Sequence, residues 1–167
     1  MAKQLLLCVG GQGGNNSGTE AAVYDCNTDS WRSAAPSNNK HSYTAAVAWN
    51  GTVVVAGGDF PMTDSVEQFD PQTNTWTALP NLLVARSHHS LVNMDGKLYV
   101  IGGLGSDGKQ VLSSVERYDA ETKTWTQLAT LGTARRRLAC ALCKVSELIL
   151  IVFTKLSLIS LKTLQQP

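Results

Sequence analysis

A tandem repeat constrains the fold of this chain more than any other feature of its sequence. Each copy contains paired glycines, then an aromatic residue followed by Asp, then a Trp seven residues after the aromatic. The distance from Trp31 to Gly57 is 26 residues, and that from Trp76 to Gly102 is again 26. Length varies only between the glycines and the aromatic, so insertions fall in one loop of a fixed scaffold. The copies are Gly10-Gly11, Tyr24-Asp25, Trp31; Gly57-Gly58, Phe69-Asp70, Trp76; and Gly102-Gly103, Tyr118-Asp119, Trp125.

Each copy reads as four short strands. Asn50-Gly51 and Asp95-Gly96 join alternating runs and are strong hairpin signals. The apolar runs after these turns suit a middle strand that is covered on both faces. Successive Trp residues lie 45 and 49 residues apart. A period of that length with four strands per unit is typical of the blades of a β-propeller.

This pattern resembles the kelch repeat, through its glycine pairs, Tyr/Phe-Asp dipeptides and following Trp residues, over about residues 4–143. The resemblance implies an all-β fold: a partial β-propeller of about three four-stranded blades in an open ring, with an irregular C-terminal tail. We label the strands of a blade a to d, with a innermost. We expect an incomplete first blade with strands b, c and d (1–40), a second blade (41–85), a third blade (86–134), the first strand of a truncated fourth blade (135–144) and a tail outside the repeat (145–167).

The repeat decays after Arg137. The positions where a turn and a glycine pair are due hold Lys144-Val145 and Ile151-Val152. One hypothesis is that the sequence from Val145 is a translated intron, because Val-Ser is what a common intron start encodes. The rival hypothesis is a genuine strand b that has lost its glycines.

Composition excludes several classes of function. The net charge of +1 argues against a nucleic-acid-binding face. The apolar run near the N-terminus is too short for a signal peptide or a membrane span, and charged residues interrupt the tail too often for a membrane helix. Four scattered cysteines then indicate reduced thiols, so we expect a cytoplasmic protein without a membrane or nucleic-acid partner.

The sequence offers little for catalysis. His88 and His89 are adjacent on an expected strand, so they point to opposite faces and cannot chelate one ion together. Cys140 and Cys143 form a lone Cys-x-x-Cys pair without a second pair, so buried thiols are favoured over a zinc site. We therefore expect no catalytic residue, no metal and no cofactor, and we expect that the protein is not an enzyme.

Binding is better supported, because polar residues recur where the d–a linker enters strand a. In proteins with the kelch-like pattern this entry and the b–c loop line one mouth of the propeller. By that resemblance the partner-binding candidates at the entry are His41, Tyr43, Arg86, His88, Arg135 and Arg137, and those in the b–c loops are Gln12, Asp59, Phe60, Leu104 and Ser106. Guanidinium groups bind carboxylates in a bidentate manner, which favours an acidic peptide. Scaffold roles for Arg86 and Arg135 are an open alternative.

The resemblance is greatest to the kelch-like substrate adaptors of cullin-RING ubiquitin ligases. It implies a protein-interaction module that captures a substrate, with the cullin-based ligase engaged through BTB and BACK domains upstream of this sequence. Actin binding is an alternative within the same class, and a sugar oxidase or sialic acid mutarotase is an alternative of another class. Three blades leave two apolar blade faces open, so we expect this chain alone to assemble or to be poorly soluble.

Overall fold

The structure is a computed structural model that describes residues 4–11, 18–59 and 61–143. All regular secondary structure in these ranges is β, which confirms the expected fold class. The strands are β1 (Leu5–Val9), β2 (Ala21–Asp25), β3 (Ser30–Ser33), β4 (Ala45–Trp49), β5 (Thr52–Gly58), β6 (Thr63–Asp70), β7 (Thr75–Leu79), β8 (Arg86–Ser87), β9 (Ser90–Met94), β10 (Lys97–Ile101), β11 (Leu104–Gly105), β12 (Val115–Asp119) and β13 (Thr124–Gln127).

Three antiparallel sheets follow one another along the chain, and we call them blades 1, 2 and 3. Blade 1 has the order β1-β2-β3, blade 2 has the order β4-β5-β6-β7, and blade 3 has the order β9-β10-β12-β13. Strands β8 and β11 form a separate two-stranded sheet. Blade 1 therefore has no described counterpart of β4 and β9, the innermost strands of the other blades.

The seven-residue spacing in the repeat has a direct structural cause. It places the aromatic of strand c opposite the Trp of strand d, as in the register pairs Phe69–Trp76 and Tyr118–Trp125. The ring centroids of these pairs are 5.0 and 5.2 Å apart. Directly opposed aromatics stabilise a strand pair and cover one blade face with apolar surface.

The Trp side chains also join each blade to the one before it. The indole N–H of Trp76 donates to the carbonyl of Ala35 at 2.8 Å, and that of Trp125 donates to the carbonyl of Pro80 at 2.8 Å. Each acceptor lies four residues after the preceding repeat's Trp. A continuous core between blades 2 and 3 includes Trp49, Val54, Leu82, Leu91, Leu98, Val100 and Trp125.

The first glycine of each pair gives the next linker room to pass. A Cβ at Gly102 would lie 2.6 Å from the carbonyl oxygen of Arg135, and a Cβ at Gly57 would collide with that of Arg86. Both glycines have φ values near +60°, a region that residues with side chains rarely adopt. The fixed distance from glycine pair to linker thus reflects a backbone contact.

The strands differ from the expected ones mainly at the inner edge. The runs 41–49 and 87–94 were expected to be strands throughout, but regular pairing in β4 and β9 starts only at Ala45 and Ser90. The intervening residues turn through a left-handed conformation described below. The pairing of β8 with β11 was not expected from the sequence. Residues 135–143 contain no regular secondary structure, and the tail from Val145 lies outside the described residues.

Candidate functional site

Three side chains at equivalent places in successive repeats form the exposed part of the candidate site. Tyr43, His88 and Arg137 each lie twelve residues after a repeat's Trp. Their φ values are 53°, 55° and 56°, so the backbone at each turns through the left-handed region. The N–H of His88 donates to the carbonyl of Tyr43 at 2.8 Å, and that of Arg137 donates to the carbonyl of His88 at 2.7 Å. These bonds run from linker to linker and present the three side chains in sequence.

Contacts among these side chains produce a mixed aromatic and charged surface. The rings of Tyr43 and His88 stack with centroids 4.4 Å apart and planes 18° from parallel. Burial, followed by the positive charge of Arg137, lowers the pKa of His88, while the nearby carboxylate of Asp59 acts in the opposite direction. We call Tyr43, Asp59, His88, Arg136 and Arg137 the mouth surface. Tyr43 is 44% exposed, and Arg136 and Arg137 are exposed.

The residues ten positions after each Trp behave differently, starting with His41. Its side chain is 0% exposed and lies between the carbonyl of Gly57 and the carboxylate of Glu67, at 2.9 Å from each. Both neighbours are acceptors, so both contacts form when each ring nitrogen carries a proton. Glu67 also accepts hydrogen bonds from the backbone N–H groups of Asn38 and Asn39. Burial raises the pKa of Glu67, but these hydrogen bonds outweigh it and hold the pKa at about 2.

Arg86 occupies the same place in the next blade. Its guanidinium is fully buried and forms an ion pair with the carboxylate of Glu116. It also donates to the carbonyl of Gly102 at 2.9 Å and to the hydroxyl of Ser114 at 3.0 Å. The second oxygen of Glu116 accepts the N–H of Leu83 at 2.8 Å. His41 and Arg86 thus fasten each linker to strand c of the blade that follows it, and neither side chain lies on the mouth surface.

The remaining candidates divide between surface, interior and undescribed positions. Arg135 is exposed, and its carbonyl accepts the N–H of Gly103 at 2.7 Å. Asp59 belongs to the mouth surface and Ser106 is exposed in a turn, whereas Leu104 is buried because β11 pairs with β8. Gln12 and Phe60 lie outside the described residues. The structure therefore brings the linker entry and the loop after the glycines of blade 2 together at one surface.

Sequence reasoning missed the buried acids and one buried histidine. Glu67 and Glu116 each lie two residues before the repeat's aromatic, in VEQFD and VERYD, so a Glu in the repeat pattern was the available signal. His89 has both ring nitrogens buried, and burial followed by the charge of Arg86 lowers its pKa to about 3. No periodic signal distinguishes His89 from His88, because the left-handed turn between them decides which side chain is buried.

The chemistry available at the mouth surface is that of recognition. It offers a stacked pair of rings, two exposed guanidinium groups and one carboxylate, which suit contacts to a peptide. Within the described ranges, no three His, Cys, Asp or Glu side chains lie close enough together to hold a metal ion. That same part of the chain contains no helix long and apolar enough to cross a membrane.

Comparison with known proteins gives a consistent result. Residues 1–161 match the family model described as the KLHDC2/KLHL20/DRC7 Kelch-repeats domain. The chain is 30% identical over 105 residues to an F-box/kelch-repeat protein of Arabidopsis thaliana, covering 60% of this chain and 28% of that protein. It is 31% identical over 102 residues to Kelch-like protein 40 of Xenopus tropicalis, covering 59% of this chain and 17% of the relative. It is 32% identical over 89 residues to Kelch repeat and BTB domain-containing protein 12 of Danio rerio, covering 47% of this chain and 14% of the relative. The chain thus spans between about a seventh and just over a quarter of these relatives.

Proposed function

Because the chain belongs to the kelch-repeat family of the KLHDC2/KLHL20/DRC7 type, we propose that it is a protein-interaction module that captures a partner peptide at the mouth surface. The observation that carries this proposal is the series Tyr43, His88 and Arg137. These side chains occupy one repeat position, share one backbone conformation and are joined by hydrogen bonds from linker to linker. A rigid backbone that presents variable side chains at equivalent positions is typical of a recognition surface.

The charges at the mouth surface favour an acidic partner. Arg136 and Arg137 are exposed, and Arg135 adds a third exposed guanidinium beside them. Asp59 is the carboxylate that opposes them, so the local balance is positive. Guanidinium groups bind carboxylates as bidentate pairs, and the stacked rings of Tyr43 and His88 offer a flat apolar contact. An acidic segment that contains an aromatic or aliphatic residue fits this combination.

The test is capture of partner proteins by the full-length gene product and by variants of the mouth. We expect Arg137→Ala and Tyr43→Ala each to reduce recovery of a directly bound partner by roughly tenfold or more, as loss of a central interface contact does. Lys123→Ala is the matched control, because Lys123 is also cationic, exposed and left-handed, with φ of 55°, but lies in the turn between β12 and β13. Equal recovery with all three variants would refute the proposed binding surface.

We further propose that this module is the substrate-capturing part of a cytoplasmic cullin-RING ubiquitin ligase adaptor. One relative carries a BTB domain in its name and another carries an F-box. The measurement is ubiquitination of the captured partner in cells that express the full-length product, compared with the Arg137→Ala variant. If the partner is captured but its ubiquitination and abundance do not change, the interaction module stands and the ligase role fails.

A further inference from the structure

Blade 1 has an unpaired inner edge. Within the described residues β1 pairs only with β2, whereas β5 and β10 have a strand on both sides. Beside β1 lies a cavity of about 230 Å³ between blades 1 and 2. Its apolar lining includes Leu5, Leu7, Val23, Ala48, Val53 and Phe69. An open strand edge next to an apolar cavity is a site for addition of an extended segment.

The other end of the described chain supplies a segment of the required kind. Cys140 lies fifteen residues after Trp125, as Ala46 and Leu91 lie after the two preceding Trp residues. Residues 138–143 therefore occupy the repeat position of β4 and β9, but they have no strand partner among the described residues. The N–H of Cys140 donates to the hydroxyl of Ser90 at 3.2 Å, which holds the segment beside β9. Strands β4 and β9 separate it from the open edge of its own blade 1.

We propose that two copies of this chain close one ring, with residues 138–143 of each copy added to β1 of the other copy. Each chain contributes three strands to blade 1, four strands to each of blades 2 and 3, and one strand to its partner. Two copies then form six complete four-stranded blades, a number within the range of closed propellers. Two such interfaces close the assembly and leave no open edge, so association stops at two copies.

The repeat fixes the register of the added strand. Ala46 pairs with Val55, and Leu91 pairs with Val100, where each valine lies two residues before a glycine pair. The residue two positions before the first glycine pair is Cys8, so Cys140 of one copy faces Cys8 of the other. By the same register, in which Asn93 pairs with Leu98, Leu142 faces Leu6. In the single chain Leu6 is 57% exposed and Leu142 is 45% exposed, so the added strand covers both.

The outer blade faces are complementary in the same way. Trp125 is 6% exposed where it packs on the preceding blade, but Trp31 is 54% exposed. In the proposed ring the indole of Trp31 donates to the carbonyl of Ala129 of the other copy, which lies four residues after Trp125, as Ala35 and Pro80 lie after their Trp residues. The opposing face of blade 3 offers half-buried apolar side chains, namely Val92, Tyr99, Ile101, Val115 and Leu128.

The charges at the junction also match. Arg86 reaches both Glu116 and Ser114 on the strand c that follows it. Blade 1 holds Ala22 at the place of Glu116, but it holds Glu20 at the place of Ser114, four residues before the aromatic. Arg135 and Glu20 are both exposed in the single chain. In the ring, Arg135 of one copy meets Glu20 of the other and replaces the carboxylate that blade 1 lacks.

The first test is the mass of the 167-residue chain by sedimentation in reducing buffer at about 10 µM, a concentration at which micromolar association is visible. We expect a dimer. A monomer at this concentration, or a ladder of larger assemblies, overturns the proposal.

The second test uses the native thiols, because Cys8, Cys26, Cys140 and Cys143 are all free. Directly opposed strand residues have Cα atoms 4.5–5.5 Å apart, which is within disulfide range. Diamide takes up two electrons and two protons as Cys8 and Cys140 form one disulfide. We expect a covalent dimer that Cys8→Ser or Cys140→Ser abolishes and that Cys26→Ser leaves intact. A disulfide between Cys8 and Cys140 within one chain, or a dimer linked through other cysteines, contradicts the register.

The third test reverses the charges. Arg135→Glu should raise the dissociation constant of the dimer roughly tenfold, by placing two carboxylates together. Adding Glu20→Arg in the same chain should restore the affinity, because both junctions then carry the reversed pair. Arg136→Glu is the matched control and should leave the dimer unchanged. Failure of the double variant to recover, with a folded chain by circular dichroism, contradicts the junction. Partner capture at the mouth is a separate readout, so either proposal can fail alone.

Discussion

The ion pair of His41 with Glu67 makes the stability of the chain depend on acid in a defined way. The pKa of Glu67 falls from its ordinary value of 4.5 to about 2 in the folded state. A shift of this size corresponds to about 3 kcal/mol of stability at neutral pH, since each pKa unit is worth about 1.4 kcal/mol. Because the folded pKa is depressed, this contribution is fully present above pH 4.5 and is lost as the pH falls towards 2.

The perturbation that isolates this effect is Glu67→Gln, which keeps the shape of the side chain and removes its charge. The free energy of unfolding of the two proteins is measured by denaturant titration with Trp fluorescence at several pH values and at one protein concentration. We expect the variant to be about 3 kcal/mol less stable at pH 7, in the range for breaking a buried pair, with the difference shrinking below pH 4.5. Titration of other groups cancels in the difference.

The control is Glu121→Gln, because Glu121 is exposed in the turn between β12 and β13. It should change the free energy of unfolding by less than about 0.5 kcal/mol at every pH. If the difference between wild type and Glu67→Gln is the same at pH 7 and pH 3, the assignment of a buried carboxylate held ionised by His41 and the Asn38 and Asn39 amides is refuted.

Three other predictions concern the scaffold. Gly102→Ala should destabilise the chain by about 2 kcal/mol or more in denaturant titration, because its Cβ meets the carbonyl of Arg135 and φ is +61°; Gly132→Ala, which meets nothing within 4 Å, is the control. Leu98→Ala should cost about 2–5 kcal/mol, because Leu98 is 0% exposed between blades 2 and 3, whereas Leu83→Ala at a 55% exposed position should cost less than about 0.5 kcal/mol. His89 has a pKa lowered from 6.5 to about 3, so its imidazole should remain neutral at pH 4 by nitrogen NMR, and stability should fall as the pH drops from 6.5 towards 3, where only the unfolded state takes up the proton. An imidazolium signal from folded His89 at pH 5 would contradict this last prediction.

The outer strands followed from the sequence because their signals are local. The runs AAVYD, TVVVAGG and TWTAL match β2, β5 and β7 residue by residue. Apolar patterning, Asn-Gly and Asp-Gly turns and Asp side chains that cap the c–d turns act over a few residues, so no distant contact is needed to read them. The inner strands begin later than expected because the linker must first turn through Tyr43 and His88.

The candidate site was predicted as a region, and its members were sorted only by the fold. His41 and Tyr43 are two residues apart and both polar or aromatic, so the sequence ranks them equally. In the structure the left-handed φ of Tyr43 places its ring against His88, while His41 is enclosed with Glu67. Leu104 was expected on the surface of the b–c loop and is buried instead, because β11 pairs with β8.

The sequence alone determined the repeat, its four-stranded unit and the membership of a propeller family, since these follow from spacings that local turns and strand pairing impose. The tertiary structure alone decided which charged side chains stabilise the scaffold and which remain for a partner. The reason is that a carboxylate on strand c lies about thirty residues from the cation that it binds, as Glu116 does from Arg86, and only the packing of a linker against the next blade brings the two together. Burial then fixes the ionisation of such pairs, a property that no short stretch of sequence carries.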